Sequence, residues 1–298
     1  MDHASHAART PGARSVSIRT ADGWLLRGEH LPKPDAPAVV VLGHAMMVDR
    51  RTLDRPRGHG LASTLHGRGL EVAWLDARGH GESGPRAEHG GRWTYDDVVR
   101  FDVPAHVRLG RRLAEGRPVV LLGHSLIGHA ALIAAGLAPD EAPDALVAYG
   151  PNLWTPALEP RPLLRAAKGA LLGAWLATTR ARGFFDARGV GAGTDAEALP
   201  YVAQFTRMWR EDRLGSPTCD YADALRGARL PVLAYSSRRD RLLARPASVA
   251  GFLDLAPNAA IEHRVLTAPL APTHMGFVTD PASRPVWEAS AAWIAGAF

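Results

Sequence analysis

Along most of the chain, apolar residues fall in short unbroken runs separated by longer stretches of helical period. Six runs stand out: AVVVLG from Ala38, LEVAWLD from Leu70, PVVLLG from Pro118, ALVAYG from Ala145, PVLAYS from Pro231 and IEHRVL from Ile261. Runs without polar alternation predict strands covered on both faces, as in a parallel sheet. Near the start the pattern differs. SVSIRT (Ser15 to Thr20) alternates, Ala-Asp-Gly follows, then WLLRGEHL, which predicts a hairpin turning at Asp22-Gly23. Helical stretches lie between the runs: GLASTLHGRG, YDDVVRFDVPAHVRLGRRLAEG with Pro104 as its kink or its start, LIGHAALIAAG, ARPASVAGFLDLA and the closing PVWEASAAWIAGAF. The alternation predicts an α/β protein built on an open, doubly wound, mostly parallel sheet of about eight strands.

One segment interrupts the rhythm. From Pro151 to Arg226 no strand-like run occurs. PLLRAAKGALLGAWLATTRARGFF and LPYVAQFTRMWRED are helical in period, and the Gly-rich DARGVGAGTDAEA joins them. The predicted organisation is a flexible N-terminal arm over 1–14, a core over 15–150 and 227–298, and a helical insertion over 151–226. That insertion is either a lid or a second helical layer.

Composition changes this picture little. A chain of 298 residues can bury a large core without disulfides, and Cys219 is its one cysteine. That usage fits a reducing, cytoplasmic setting. The opening MDHASHAARTPGARS has no apolar core and does not read as a secretory signal. The longest apolar helical stretch, GALLGAWLATT, is too short for a membrane span. The net charge is +5, but the arginines are scattered among Asp and Glu without a basic stripe, so no nucleic-acid partner is expected. Oligomeric state is not legible.

Open parallel sheets place their chemistry at the carboxyl ends of the strands. Here the third run ends in Gly123-His124-Ser125-Leu126-Ile127-Gly128, a strand-to-helix turn in which Ser125 is either a nucleophile or a helix cap. The fifth run leads to Asp240, among Arg238, Arg239 and Arg241, whose charges would favour a carboxylate. The last leads to His274 in TAPLAPTHMGF. The first ends in LGHAMMVDRR, a loop able to offer a backbone N–H to an oxyanion. His44 and Asp49 in that loop also resemble an acyltransferase His-x4-Asp signature. No metal-spaced His or Cys cluster and no phosphate loop is present, so no metal or organic cofactor is expected.

With Ser125, Asp240 and His274 in that chain order, and with LDARGHGES (Leu75 to Ser83), GHS (Gly123 to Ser125), RRDRL and THMGF, the chain resembles an α/β-hydrolase. The likeness spans nearly everything except the arm and the insertion. Within the insertion and tail it is fainter, toward bacterial α/β-hydrolases of unknown substrate. The resemblance implies Ser125 as nucleophile, His274 as general base and acid, Asp240 as its orienting partner, and the backbone N–H groups of Met46 and Leu126 as the oxyanion hole. It implies a structural rather than catalytic role for His80 in the Arg-Gly-His-Gly turn. The sequence departs from the family pattern in three places. Ala45 follows His44 where glycine is usual, Ile127 occupies a usually small position, and Thr273 precedes His274.

The expected activity is serine hydrolysis of a carboxylic ester, or of an amide, through an acyl-enzyme on Ser125. The insertion is rich in large apolar side chains. Trp154, Trp175, Phe205 and Trp209 are the expected wall of a pocket for a small or medium hydrophobic ester. Rival readings are a ligand-binding protein that kept the fold and lost turnover, motivated by Ile127 and Ala45, and a C–C bond hydrolase or cofactor-free perhydrolase using the same three residues.

Overall fold

The alternating N-terminal segment forms the predicted hairpin. In the computed structural model, which describes residues 9–298, β1 (Arg14–Arg19) pairs antiparallel with β2 (Leu25–Leu31). Gly23 turns the chain at φ +91°, a conformation glycine adopts without steric cost. The aliphatic runs follow as β3 (Val39–Gly43), β4 (Glu71–Leu75), β5 (Val119–His124), β6 (Ala145–Tyr149) and β7 (Pro231–Ser237). Apart from Pro231 every residue in these five strands is buried. With no face toward water, polar alternation has nowhere to arise.

β8 (Ala260–Leu266) closes the far edge and corrects one expectation. IEHRVL reads as a buried run, yet every position of the strand is half-buried or exposed. It pairs with β7 alone, so one edge and part of its faces meet solvent. The eight strands lie in the order β1-β2-β4-β3-β5-β6-β7-β8, and from β4 to β8 every neighbouring pair is parallel.

Helices cover both faces. α1 (Leu61–Gly67) packs on the face that carries Val40, Leu42, Val72 and Val120. The opposite face, with Val41, Leu121, Leu146 and Val232, carries α2 (Val103–Ala114) and α3 (Leu126–Leu137). Pro104 marks a start, not a kink: it occupies the first turn of α2, after a π-helical turn over Val98–Asp102. α4 (Pro162–Arg182) and α5 (Leu199–Glu211) form the helical insertion between β6 and β7. α6 (Tyr221–Gly227) and α7 (Pro246–Leu253) add to the α3 face, and α8 (Arg284–Ala297) lies beside α1.

Of the arm expected over 1–14, the described end is anchored at Thr10. Residues 1–8 lie outside the described residues. Thr10 is buried, its N–H donating to Glu29 (3.0 Å) and its hydroxyl to Asp54 (2.8 Å), and Arg14 already belongs to β1. Two buried carboxylates need donors, and Thr10 supplies two.

Candidate active site

β5 delivers Ser125 onto the turn that opens α3. Its backbone is at φ 49°, ψ −104°, a region costing a non-glycine residue about 1–3 kcal/mol. Two bonds hold it: Ser125 N–H donates to the Tyr149 carbonyl (2.8 Å), and His129 N–H donates to the Ser125 carbonyl (3.0 Å). The side chain makes no capping bond to the helix, so the helix-cap role is not the one it plays. It lines a cavity of about 270 Å³ instead.

The crowding of such a turn explains how Ile127 is accommodated. A Cβ on Gly123 would lie 2.3 Å from Gly128 N, so that approach needs glycine. Ile127 is fully buried and fills the space over Gly43 of β3, where a Cβ would come within 2.3–2.7 Å of three Ile127 side-chain atoms. The room usually left by a small residue in the helix is here left by a glycine in the neighbouring strand. Gly43→Ala is therefore expected to destabilise the protein by about 1–3 kcal/mol in urea unfolding. Ile127→Ala costs roughly 2–5 kcal/mol alone, yet relieves the Gly43→Ala clash when combined. A double-mutant cycle should give a coupling of about 0.5–3 kcal/mol, and purely additive losses would refute the contact. The departure at Ala45 is benign: Ala45 is not among the residues with positive φ, so no glycine is demanded there.

Asp240 and His274 come together from the loops after β7 and β8. His274 Nδ1–H donates to Asp240 Oδ2 at 2.6 Å. Asp240 also accepts from Leu243 N–H and Ala244 N–H, each at 2.9 Å. Burial opposes ionisation of Asp240. The bond and charge of His274, with the two backbone donors, outweigh it and hold the carboxyl below its usual range. The expected help from Arg238, Arg239 and Arg241 is not what does this, since all three side chains are exposed to solvent. His274 is further fixed by His124, whose Nε2–H donates to the His274 carbonyl (3.0 Å). Gly150, at φ +58°, leaves the ring its place: a Cβ there would sit 3.2 Å from His274 Cε1. Both Ser125 and His274 face the same cavity.

Met46 lines that cavity too, and among the described residues its N–H donates to no protein acceptor. Leu126 is the first residue of α3, so its N–H has no intrahelical partner. Met47, directly after Met46, stands at φ +62° and is gripped by the insertion. Its N–H donates to Glu197 Oε1 (2.8 Å), and its carbonyl accepts from Thr194 N–H (2.8 Å) and Asp195 N–H (3.0 Å). Glu197 Oε1 also accepts from His80 Nε2 (3.1 Å). Burial would lower the His80 pKa. The Glu197 charge and hydrogen bond, with Asp195 and the Arg78 carbonyl nearby, outweigh burial and push it up to about 9. His80 is thus a charged tie between the Arg-Gly-His-Gly turn and the insertion.

His44 does not pair with Asp49. Its Nε2 accepts from Ala77 N–H (2.9 Å) and its Nδ1–H donates to the Ala45 carbonyl (2.7 Å), while Asp49 caps the following turn and pairs with Arg51. Burial and the neighbouring His80 push His44 down to about 3, leaving it a neutral structural ring.

Of the four expected pocket aromatics, Trp154, Trp175 and Phe205 line the cavity. Trp209 does not. It packs on α4, where a Cβ at Gly169 would lie 2.9 Å from its Nε1. Sequence reasoning missed His129 and Asn152, the two polar side chains in the wall besides Ser125 and His274. His129 lies one helical turn beyond Ser125, and that i, i+4 spacing was the available signal. Glu197 had none.

The sheet order and the helical insertion between β6 and β7 define an α/β-hydrolase fold. The chain belongs to the serine aminopeptidase S33 family of hydrolases, whose sequence profile matches residues 37–214, and it is a serine hydrolase. The fold is shared by the Pyrococcus furiosus esterase Pf2001, at 17% identity and a TM-score of 0.61 over 95% of this chain and 88% of that one. It is shared as well by the Paleococcus ferrophilus monoacylglycerol lipase, at 17% identity and a TM-score of 0.55 over 95% of this chain and 98% of that one. Among curated proteins, no sequence relative matches. Among the described residues no helix is long and apolar enough to cross a membrane.

Proposed function

We propose that the protein hydrolyses carboxylic esters with a hydrophobic acyl or alcohol part, through an acyl-enzyme on Ser125. The observation that carries this is the convergence of Ser125 on its strained turn and of the Asp240-bonded His274 on one apolar cavity. His274 Nε2 takes the proton of the Ser125 hydroxyl as Oγ attacks the carbonyl carbon. The tetrahedral oxyanion is held by the N–H groups of Met46 and Leu126. His274 then protonates the leaving alcohol, and a water molecule, deprotonated by the same nitrogen, releases the acid. Asp240 keeps Nδ1 protonated and stabilises the imidazolium. Residues 151–226 act as the cap and contribute Trp154, Leu172, Trp175, Ala192 and Phe205 to the apolar wall. The free thiol of Cys219 fits a cytoplasmic setting.

An ester is favoured over a peptide with a free amino terminus by the wall itself. An aminopeptidase must receive an ammonium group, and among the described residues the lining carries no carboxylate to do so. Incubation with a fluorophosphonate followed by peptide mapping should place the adduct on Ser125. p-Nitrophenyl esters should be turned over, with kcat/KM falling once the acyl chain outgrows the cavity. A folded protein that takes no label and cleaves no ester would sink the proposal.

A further inference from the structure

The cavity wall is largely apolar, with Met46, Trp154, Leu172 and Phe205 among its members, yet it holds two polar groups beyond the reacting pair. The first is His129. Its Nδ1 lies 2.7 Å from the Tyr95 hydroxyl. That phenol is fully buried, and among the described residues His129 is its hydrogen-bond partner. A buried O–H needs an acceptor, so Nδ1 accepts and the proton of the neutral ring sits on Nε2. Burial keeps His129 neutral, its pKa pushed down to about 3. Among the described residues Nε2 has no protein partner. Unlike His106 Nε2 and His124 Nδ1, which are sealed in and unpartnered, it keeps access to the cavity.

The second is Asn152. Its amide nitrogen donates to the Leu243 carbonyl at 2.7 Å, beside Trp154 Nε1 on the same oxygen at 2.9 Å. That bond fixes which way the amide points, since the reverse orientation would set two oxygens against each other. Asn152 Oδ1 is left buried with no partner, in a side chain only 8% exposed. Asn152 Oδ1 is sealed from the cavity as those two ring nitrogens are, so the wall presents one unused group that the cavity reaches, the Nε2–H donor of His129. Unmade bonds of this kind are costly when empty and discriminating when filled.

Building on the esterase reading, we propose that the preferred substrate carries an oxygen acceptor, a hydroxyl or an ether, away from the scissile ester, which accepts from His129 Nε2–H. His129 is then a specificity-determining residue, and plain alkyl esters are the poorer substrates.

The test compares matched esters bearing a hydroxyl, a methoxy or an ethyl group at the same successive carbons, in p-nitrophenyl alkanoates and in alkyl butanoates. At the best position the hydroxy ester should exceed the ethyl one roughly ten- to hundredfold in kcat/KM. The methoxy ester, which also accepts, should share the advantage. His129→Phe should collapse both advantages. Tyr95→Phe should weaken the preference by freeing the His129 tautomer. Reading ratios within one variant cancels any general damage to the catalytic loops. A wild-type ratio below about threefold at every position, or a preference that survives His129→Phe, overturns the proposal. If Ser125 is labelled while the ratios stay flat, this inference fails and the esterase reading stands. If no ester is cleaved, the esterase reading fails, and Kd values of the corresponding hydroxy and alkyl acids, by calorimetry on the folded protein, decide the pocket chemistry.

Discussion

Ser125→Ala should leave no fluorophosphonate adduct and lower ester turnover by on the order of 10⁴–10⁶, and His274→Ala should do nearly the same. The two losses should not add. A serine without its base and a base without its serine are each missing the same proton transfer, so the double variant should be about as slow as either single one. Asp240→Asn should cost less, roughly 10⁴, because the ring remains but is no longer held by a carboxylate. Stability gives an independent reading of the same site. Since Ser125 sits at φ 49°, Ser125→Ala keeps the strain and Ser125→Gly removes it. The glycine variant should melt at or above the alanine variant despite glycine's greater unfolded-state entropy. Activity that survived Ser125→Ala would place the chemistry elsewhere, and a glycine variant clearly less stable than the alanine one would refute the strain at that turn.

These residues were legible because the fold puts them in legible places. Ser125, Asp240 and His274 follow strand ends, and the strands show themselves as unbroken aliphatic runs. The errors have a common physical origin: each concerns which neighbour a residue meets across the fold. β8 looks like a central strand until its single partner is known. Trp209 is as aromatic as Phe205, but it faces Gly169 on α4, not the cavity. Arg239 is adjacent to Asp240 in sequence, while the groups that keep the carboxylate ionised are His274 and two backbone N–H groups. Ile127 looked like an obstruction because its compensation, Gly43, lies on another strand.

Glu197→Ala is expected to slow catalysis roughly 10- to 100-fold in kcat with little change in KM, although Glu197 touches neither the cavity nor the reacting groups. The effect runs through Met47. A methionine at φ +62° is held there only if its surroundings fix it, and both of its backbone polar groups are bound by the segment from Thr194 to Glu197. Gly193 seals the contact: a Cβ there would fall 2.1 Å from the Met47 carbonyl oxygen. The Met46 N–H, one proposed oxyanion donor, is one peptide away. Losing a donor outright costs on the order of 10²–10³ in rate, so loosening one should cost somewhat less. Glu197 is thus a positioning residue, and three variants separate that role from general destabilisation. Glu197→Gln keeps an oxygen for the Met47 N–H but loses the charge facing His80, so it should retain most of kcat while losing stability. Gly193→Ala leaves the ion pair intact but disturbs the Met47 carbonyl, so it should lower kcat as Glu197→Ala does. Met47→Gly, placed in the Glu197→Ala background, removes the need to enforce a strained backbone and should recover part of the rate. If Glu197→Ala instead raises KM at constant kcat, or Met47→Gly recovers nothing, the insertion shapes the pocket and the oxyanion loop holds its own geometry.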